Sequence, residues 1–154
     1  MEINKATKKD IDTVVEICRR GISECFAKYY PQQATEFFYY NHGKERVTED
    51  IGKGITYLIY NEDNEPVGTI SVDGNEIYRF FICQEQQGKG YGKRTMDYFE
   101  EKILKDYDEV RLDAALSAFN MYLKRGYKMI KFIPYPKDNG EYLCYFEMSK
   151  RAEE

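Results

Sequence analysis

Gln87-Gly88-Lys89-Gly90-Tyr91-Gly92-Lys93 separates an apolar run, Ile77 to Cys83, from a long helical pattern that begins at Tyr91. A glycine-rich turn between a strand and a helix aims several backbone N–H groups at one point, and the helix N-terminus adds partial positive charge there. Glycines let an anion approach the backbone with no side chain in the way. The stretch therefore reads as a phosphate or pyrophosphate site. Two other phosphate loops do not fit it. A Walker A loop runs G-x-x-x-x-G-K-[ST]; counted back from Gly92-Lys93, its first glycine would be Gln87, and Arg94 follows the lysine. A dinucleotide fingerprint needs G-x-G-x-x-G with an acidic residue about 20 positions on, whereas these glycines are spaced G-x-G-x-G. The pattern that fits is Q-x-x-G-x-G, on Gln87, Gly90 and Gly92.

Upstream of the loop, Met1 to Lys5 is a short strand candidate, and Thr7 can cap a helix with Asp10 in its first turn. Ile11, Val14, Val15, Cys18, Ile22, Cys25 and Phe26 follow helical spacing, which makes Cys18 and Cys25 core positions. Pro31 opens a second helix to about Asn41, and a short acidic helix covers Thr48 to Gly52. Ile55 to Tyr60, Pro66 to Val72 and Glu76 to Cys83 read as strands, the last two joined by an Asp73-Gly74 hairpin turn. Downstream come a helix from Tyr91 to about Asp106, a strand Val110 to Ala114, and a short helix Ala118 to Arg125 closed by Gly126. Strands Lys128 to Ile133 and Glu141 to Ser149 end the fold, joined by a loop from Pro134 to Gly140. The result is a single α/β domain over residues 1–150, with residues 151–154 expected to fray.

Net charge is −4, which argues against nucleic acid as a partner, although Lys89, Lys93 and Arg94 surround the glycine loop. The four cysteines form no C-x-x-C pair and there is one histidine, so no metal site is expected. No apolar run suits a membrane span or signal peptide, and the chain reads as cytoplasmic with reduced thiols.

On the Gln87, Gly90, Gly92 pattern the chain resembles the GNAT superfamily of N-acetyltransferases, whose pyrophosphate loop has the form [QR]-x-x-G-x-[GA]. Ala118, Tyr122, Gly126 and Tyr127 match a second pattern of the family, A-x-x-x-Y-x-x-x-G-[FY]. Glu76, eleven positions ahead of Gln87, stands where some members carry a glutamate. The resemblance implies a mixed sheet of about seven mostly antiparallel strands, with helices on both faces and the fourth and fifth strands splayed. It implies acetyl-CoA as co-substrate, no metal, and an amine of a small molecule or peptide as acceptor. Backbone groups of Phe80, Phe81 and Ile82, at the bulge of the fourth strand, would hold the pantetheine and thioester. The loop from Gln87 through Gly88, Lys89, Gly90, Tyr91 and Gly92 to Lys93 would hold the pyrophosphate. Where the family often has an asparagine this chain has Ala115, and Ser117 could supply the missing contact.

Acetyl transfer to an amine needs a proton acceptor, a donor for the carbonyl oxygen, and a proton for the leaving thiolate. The resemblance gives the last role to Tyr122 and the first to Glu76, with Asp73, Asp113 or water as alternatives. By the same analogy the segment between the first two strands walls the acceptor cleft, making Tyr29, Tyr30, Tyr39, Tyr40 and His42 candidate substrate contacts beside Asp113. Cys83 could lie near a thioester, but no Cys–His pattern supports a covalent route. A non-catalytic acyl-CoA sensor is the competing reading, and a toxin acetylating charged tRNA would need a basic surface. A homodimer could form by pairing of the aromatic C-terminal strand.

Overall fold

The computed structural model describes residues 1–152. Twelve elements follow in chain order: β1 (Glu2–Lys5), α1 (Ile11–Glu24), α2 (Gln32–Asn41), α3 (Lys44–Gly52), β2 (Thr56–Tyr60), β3 (Pro66–Asp73), β4 (Glu76–Ile82), α4 (Tyr91–Leu104), β5 (Glu109–Ala115), α5 (Phe119–Lys124), β6 (Lys128–Pro136) and β7 (Tyr142–Arg151). The strands form one sheet in the order β1-β2-β3-β4-β5-β7-β6. Only β4 and β5 run parallel; every other neighbouring pair is antiparallel.

Each face of the sheet is covered because its apolar residues alternate along the strands. On one face, α1 and α3 bury Val14, Ile17, Cys18, Ile22, Val47 and Ile51 against Leu58 and Phe81. Gly21 lets α1 lie close, since a Cβ there would run into the Phe81 ring. On the other face, Met96, Phe99 and Ile103 of α4 pack on Ile70, Ile77, Val110, Leu112 and Ala114. The helix start before α1 is fixed by Asp10, whose carboxylate accepts from both the Thr7 N–H (2.7 Å) and the Thr7 hydroxyl (2.8 Å).

Several elements run longer than the sequence patterns suggest. α3 begins at Lys44 rather than Thr48. β6 runs on to Pro136, through part of the stretch read as loop. β7 takes in Arg151, which pairs with Glu109; of the terminus expected to fray, residues 153–154 lie outside the described residues. β7 is also not free to pair across a dimer, because β5 and β6 occupy both its edges; the open edges of the sheet belong to β1 and β6. Among the described residues, no helix is long and apolar enough to cross a membrane, and no group of three or more His, Cys, Asp or Glu could hold a metal ion.

The feature that positions the site is the parting of β4 from β5. They pair only at Glu76–Arg111 and Ile77–Leu112. Beyond that point β4 continues along β3 as far as Ile82, while β5 continues along β7 as far as Ala115. The parting coincides with a bulge: Ser71 faces Arg79 and Val72 faces Ile77, which leaves Tyr78 as the extra residue on β4. Sequence analogy put the bulge at Phe80 to Ile82, two residues too far along, because a one-residue insertion in a pairing register leaves no mark in the composition of the strand.

Candidate active site

One end of the gap is the glycine loop. Gly88 (φ +77°) and Gly90 (φ +87°) both take left-handed backbone, which glycine adopts without a Cβ clash. Gly90 is the residue before α4 and offers no side-chain cap. The first amide of this helix to reach back is that of Arg94, which donates to the Gly90 carbonyl at 3.0 Å. The N–H groups of Tyr91, Gly92 and Lys93 precede it and have no helical acceptor. Three donors and the helix dipole thus converge where the sequence places an anion.

The loop's side chains are mostly committed elsewhere. Gln87 folds back, its Nε2 donating to the Ile82 carbonyl at 3.0 Å. The Tyr91 ring is buried and its hydroxyl donates to Glu62 at 2.6 Å, so Tyr91 can offer an anion its backbone only. Lys89 reaches Gln86, Lys93 is paired with Asp97 at 2.8 Å, and Arg94 stacks over Tyr91 within 3.7 Å of Glu62. Of the basic surround expected of the loop, Lys93 and Arg94 are paired with carboxylates at the surface, while Lys89 bonds only a neutral amide. Ser117 is exposed in the turn before α5 and does not line the cleft.

Along the gap, β4 exposes backbone at every second residue. The Cys83 N–H donates to Val67 of β3 at 2.9 Å, so by alternation Phe81 also turns its amide to β3. Phe80 and Ile82 face the other way, into the space β5 has left, and Gln87 reaches the outward Ile82 carbonyl there. Of the three backbone positions taken from the resemblance, Phe81 is thus turned from the gap and two face it.

A cavity of about 450 Å³ opens at the parted strands. Tyr122 and Ala118 of the α5 region line it together with Ile77, Phe80 and Asp113. Tyr122 is nearly buried and its ring meets Tyr127 edge-on at 5.4 Å. Burial raises its phenol well above the ordinary tyrosine range, so it stays protonated. Asp113 stands on the wall from β5, opposite Glu147 on β7. Asp113 is itself exposed on this wall; partial desolvation by its neighbours, then the charges of Glu76 and Glu147, raise its carboxyl to about 6. Glu76 itself is exposed at the hairpin end of β4 and does not line the cavity, and neither does Asp73.

The cavity also has an aromatic end: Phe26, Phe37, Phe38 and Phe81, with His42 and Tyr145. Of the tyrosines proposed as substrate contacts, Tyr29, Tyr39 and Tyr40 are exposed and lie off the cavity. Tyr30 is buried and structural: its hydroxyl donates to the Cys144 carbonyl (2.7 Å) and accepts from the Leu116 N–H (2.8 Å). Cys83 packs against the α1 side and burial raises its thiol, which fits its exclusion from the chemistry.

Beneath the aromatic end lies a polar network with little trace in the sequence. Arg79, 2% exposed, donates to Asp50 (2.8 Å), Ser71 (2.9 Å), His42 Nδ1 (3.3 Å) and the Asn41 carbonyl at the end of α2 (3.4 Å). The one signal was a charge within the apolar run Ile77 to Cys83, at an alternate position shared with Phe81.

The profile of the GNAT acetyltransferase domain matches residues 25–151. A GCN5-related N-acetyltransferase from Rhodopseudomonas palustris has the same fold, with TM-score 0.86 at 19% identity over 98% of this chain and 95% of that one. The PaiA N-acetyltransferase of Thermoplasma acidophilum, solved with coenzyme A, gives 0.74 at 22% identity over 98% of each chain. An aminoglycoside 6'-N-acetyltransferase complexed with coenzyme A gives 0.65 at 15% identity, covering 98% of this chain and 97% of that one. At these identities the likeness is one of fold. No curated protein sequence matches the chain.

Proposed function

This chain belongs to the GNAT acetyltransferase family, and from that premise we propose that it moves an acetyl group from acetyl-CoA to a primary amine of a small molecule or peptide, by direct attack. What carries the reading is a coincidence in one cavity: the open β4 edge, a carboxylate with a raised pKa, and a protonated phenol. The α4 N-terminus takes the pyrophosphate, and the outward amides of Phe80 and Ile82 are available to the pantetheine. Glu76, Asp113 and Glu147 make the cleft attractive to an ammonium ion. Asp113 then takes the amine proton, directly or through a water, because an alkylammonium with pKa near ~10.4 cannot attack. The amine nitrogen bonds to the thioester carbon and sheds its second proton to solvent as the adduct collapses, and the backbone amides of β4 are candidate donors to the oxygen as it gains charge. As the C–S bond breaks, Tyr122 protonates the departing sulfur and later regains its proton from solvent.

Tyr122→Phe tests the acid. A thiolate with a parent pKa of about 8.5 leaves moderately well unaided, so kcat should fall roughly tenfold, with acetyl-CoA affinity unchanged by calorimetry. An unchanged kcat would remove Tyr122 from the reaction. Gly90→Ala tests the loop. Its left-handed backbone disfavours an L side chain by ~1–2 kcal/mol, so the free loop should relax out of that conformation and acetyl-CoA, which needs it, should bind about tenfold more weakly, with a melting temperature lower by at most a few degrees.

A further inference from the structure

We propose that His42 is a specificity-determining residue, a fixed Nε2–H donor that selects acceptor amines carrying a hydrogen-bond-accepting oxygen beside an apolar or aromatic body. The inference rests on the transferase reading above, because it concerns the acceptor end of the same cavity. Arg79 Nε lies 3.3 Å from His42 Nδ1. A guanidinium has hydrogens to give and no lone pair to offer, so Nδ1 must present its own lone pair and the ring proton sits on Nε2.

Arg79 cannot easily release this hold. Its other nitrogens are bound by Asp50, Ser71 and the Asn41 carbonyl, and Ser71 is in turn 2.8 Å from Thr56. The imidazole is also fixed in orientation, edge-on to Phe81 at 5.3 Å and parallel to Phe38 at 6.5 Å. Burial, and then the Arg79 charge, lower its pKa to about 3, so it remains neutral wherever the enzyme would work. This removes His42 as a general base and leaves it as a donor.

Nε2, on the far side of the ring from Arg79, donates to no protein group among the described residues, while the ring lines the cavity shared with Asp113 and Tyr122. The ring is half-buried and this donor is open to the cavity, so it is free for a ligand. An oxygen on the acceptor would satisfy it, with the rest of the acceptor lying against Phe26, Phe38 and Phe81.

The chain has a single histidine, so ¹⁵N-histidine labelling gives one imidazole to read. Long-range ¹H–¹⁵N correlation should show the Nε2–H tautomer, unchanged from about pH 5 to about pH 8. An Nδ1–H tautomer, or titration near the ordinary ~6.5, would overturn the proposal. For selection, pairs of primary aryl-alkyl amines would be compared that differ only in a carbonyl oxygen or a methylene. The wild type should prefer the carbonyl member roughly tenfold in kcat/KM. His42→Phe should abolish that preference and His42→Gln should keep most of it. Equal loss on both members in His42→Phe would mean packing alone and would overturn the proposal. If acetyl-CoA binds but no amine is acetylated, the transferase reading fails separately, and the Nε2–H resonance is followed as the same pairs are added. A shift caused by the carbonyl member alone supports selection, and no shift with either overturns it.

Discussion

Asp113→Asn should lower kcat/KM near neutral pH by about two to three orders of magnitude, the range expected when a general base is lost. Both carboxylates are exposed, but Asp113 is on the cavity wall, whereas Glu76 is at the hairpin end of β4 and off it. A carboxylate titrating at about 6 is ionised at neutral pH and is a stronger base than an ordinary aspartate. The wild-type profile should rise with pH through about 6 and then level, because only the ionised form accepts a proton. Glu76→Gln should move that limb to lower pH and keep most of the plateau, since Glu76 acts on Asp113 through its charge. The opposite pattern, with Glu76→Gln inactive and Asp113→Asn active, would make Glu76 the base. Loss of fold cannot mimic the result. A carboxyl whose pKa is raised on folding stabilises the protein below its unfolded value of ~3.9, and that contribution is lost as pH rises through about 6. At neutral pH the asparagine variant therefore gives up no stabilising charge at this position.

Arg79→Leu should destabilise the protein by about 3–5 kcal/mol, the usual consequence of removing one member of a buried ion pair. For a chain of this length the melting temperature should fall by roughly 10 °C or more. Asp50, almost as buried as Arg79, would be left with only the looser contact to Lys53 at 3.9 Å. The end of α2 would lose the cation at its negative pole, and Ser71 would lose a donor. The double variant Arg79→Leu, Asp50→Leu should recover part of the loss, because no charge is then stranded. A change below about 1 kcal/mol in the single variant, by denaturant titration, would show that the pair contributes no more than a surface ion pair does.

The sequence carried the parts of this site that depend on short-range backbone geometry. Gly88 and Gly90 need left-handed backbone within a few residues of a helix start, and Gly126 ends α5 at φ +93°, so their spacing is visible in the chain. The Ala118–Tyr122–Gly126 pattern likewise spans one short helix and its stop. Alternation and turn residues gave all seven strands, with ends shifted by a few residues.

What stayed hidden depends on contacts between distant segments. Glu76 and Asp113 look alike along the chain, and only the parting of β4 from β5 decides which of them lines the cavity. The Tyr78 bulge is a register event between two strands. Arg79 finds Asp50 and His42 across 29 and 37 residues, so neither partner could be read beside it. Tyr30 looked like a substrate contact because a tyrosine's polar tip suits a ligand or a carbonyl equally well, and here two backbone groups of the β5 and β7 region claim it.

The most direct test of the central claim is acetyl-CoA turnover by thiol release across a panel of primary amines, amino acids, aminoglycosides and short peptides, with calorimetric acetyl-CoA binding on the same sample. The account predicts one acetyl-CoA bound per chain and thiol release that depends on the presence of an acceptor amine. Absence of acetyl-CoA binding would contradict the reading of the glycine loop and of the gap between β4 and β5, and with it the transferase mechanism built on them.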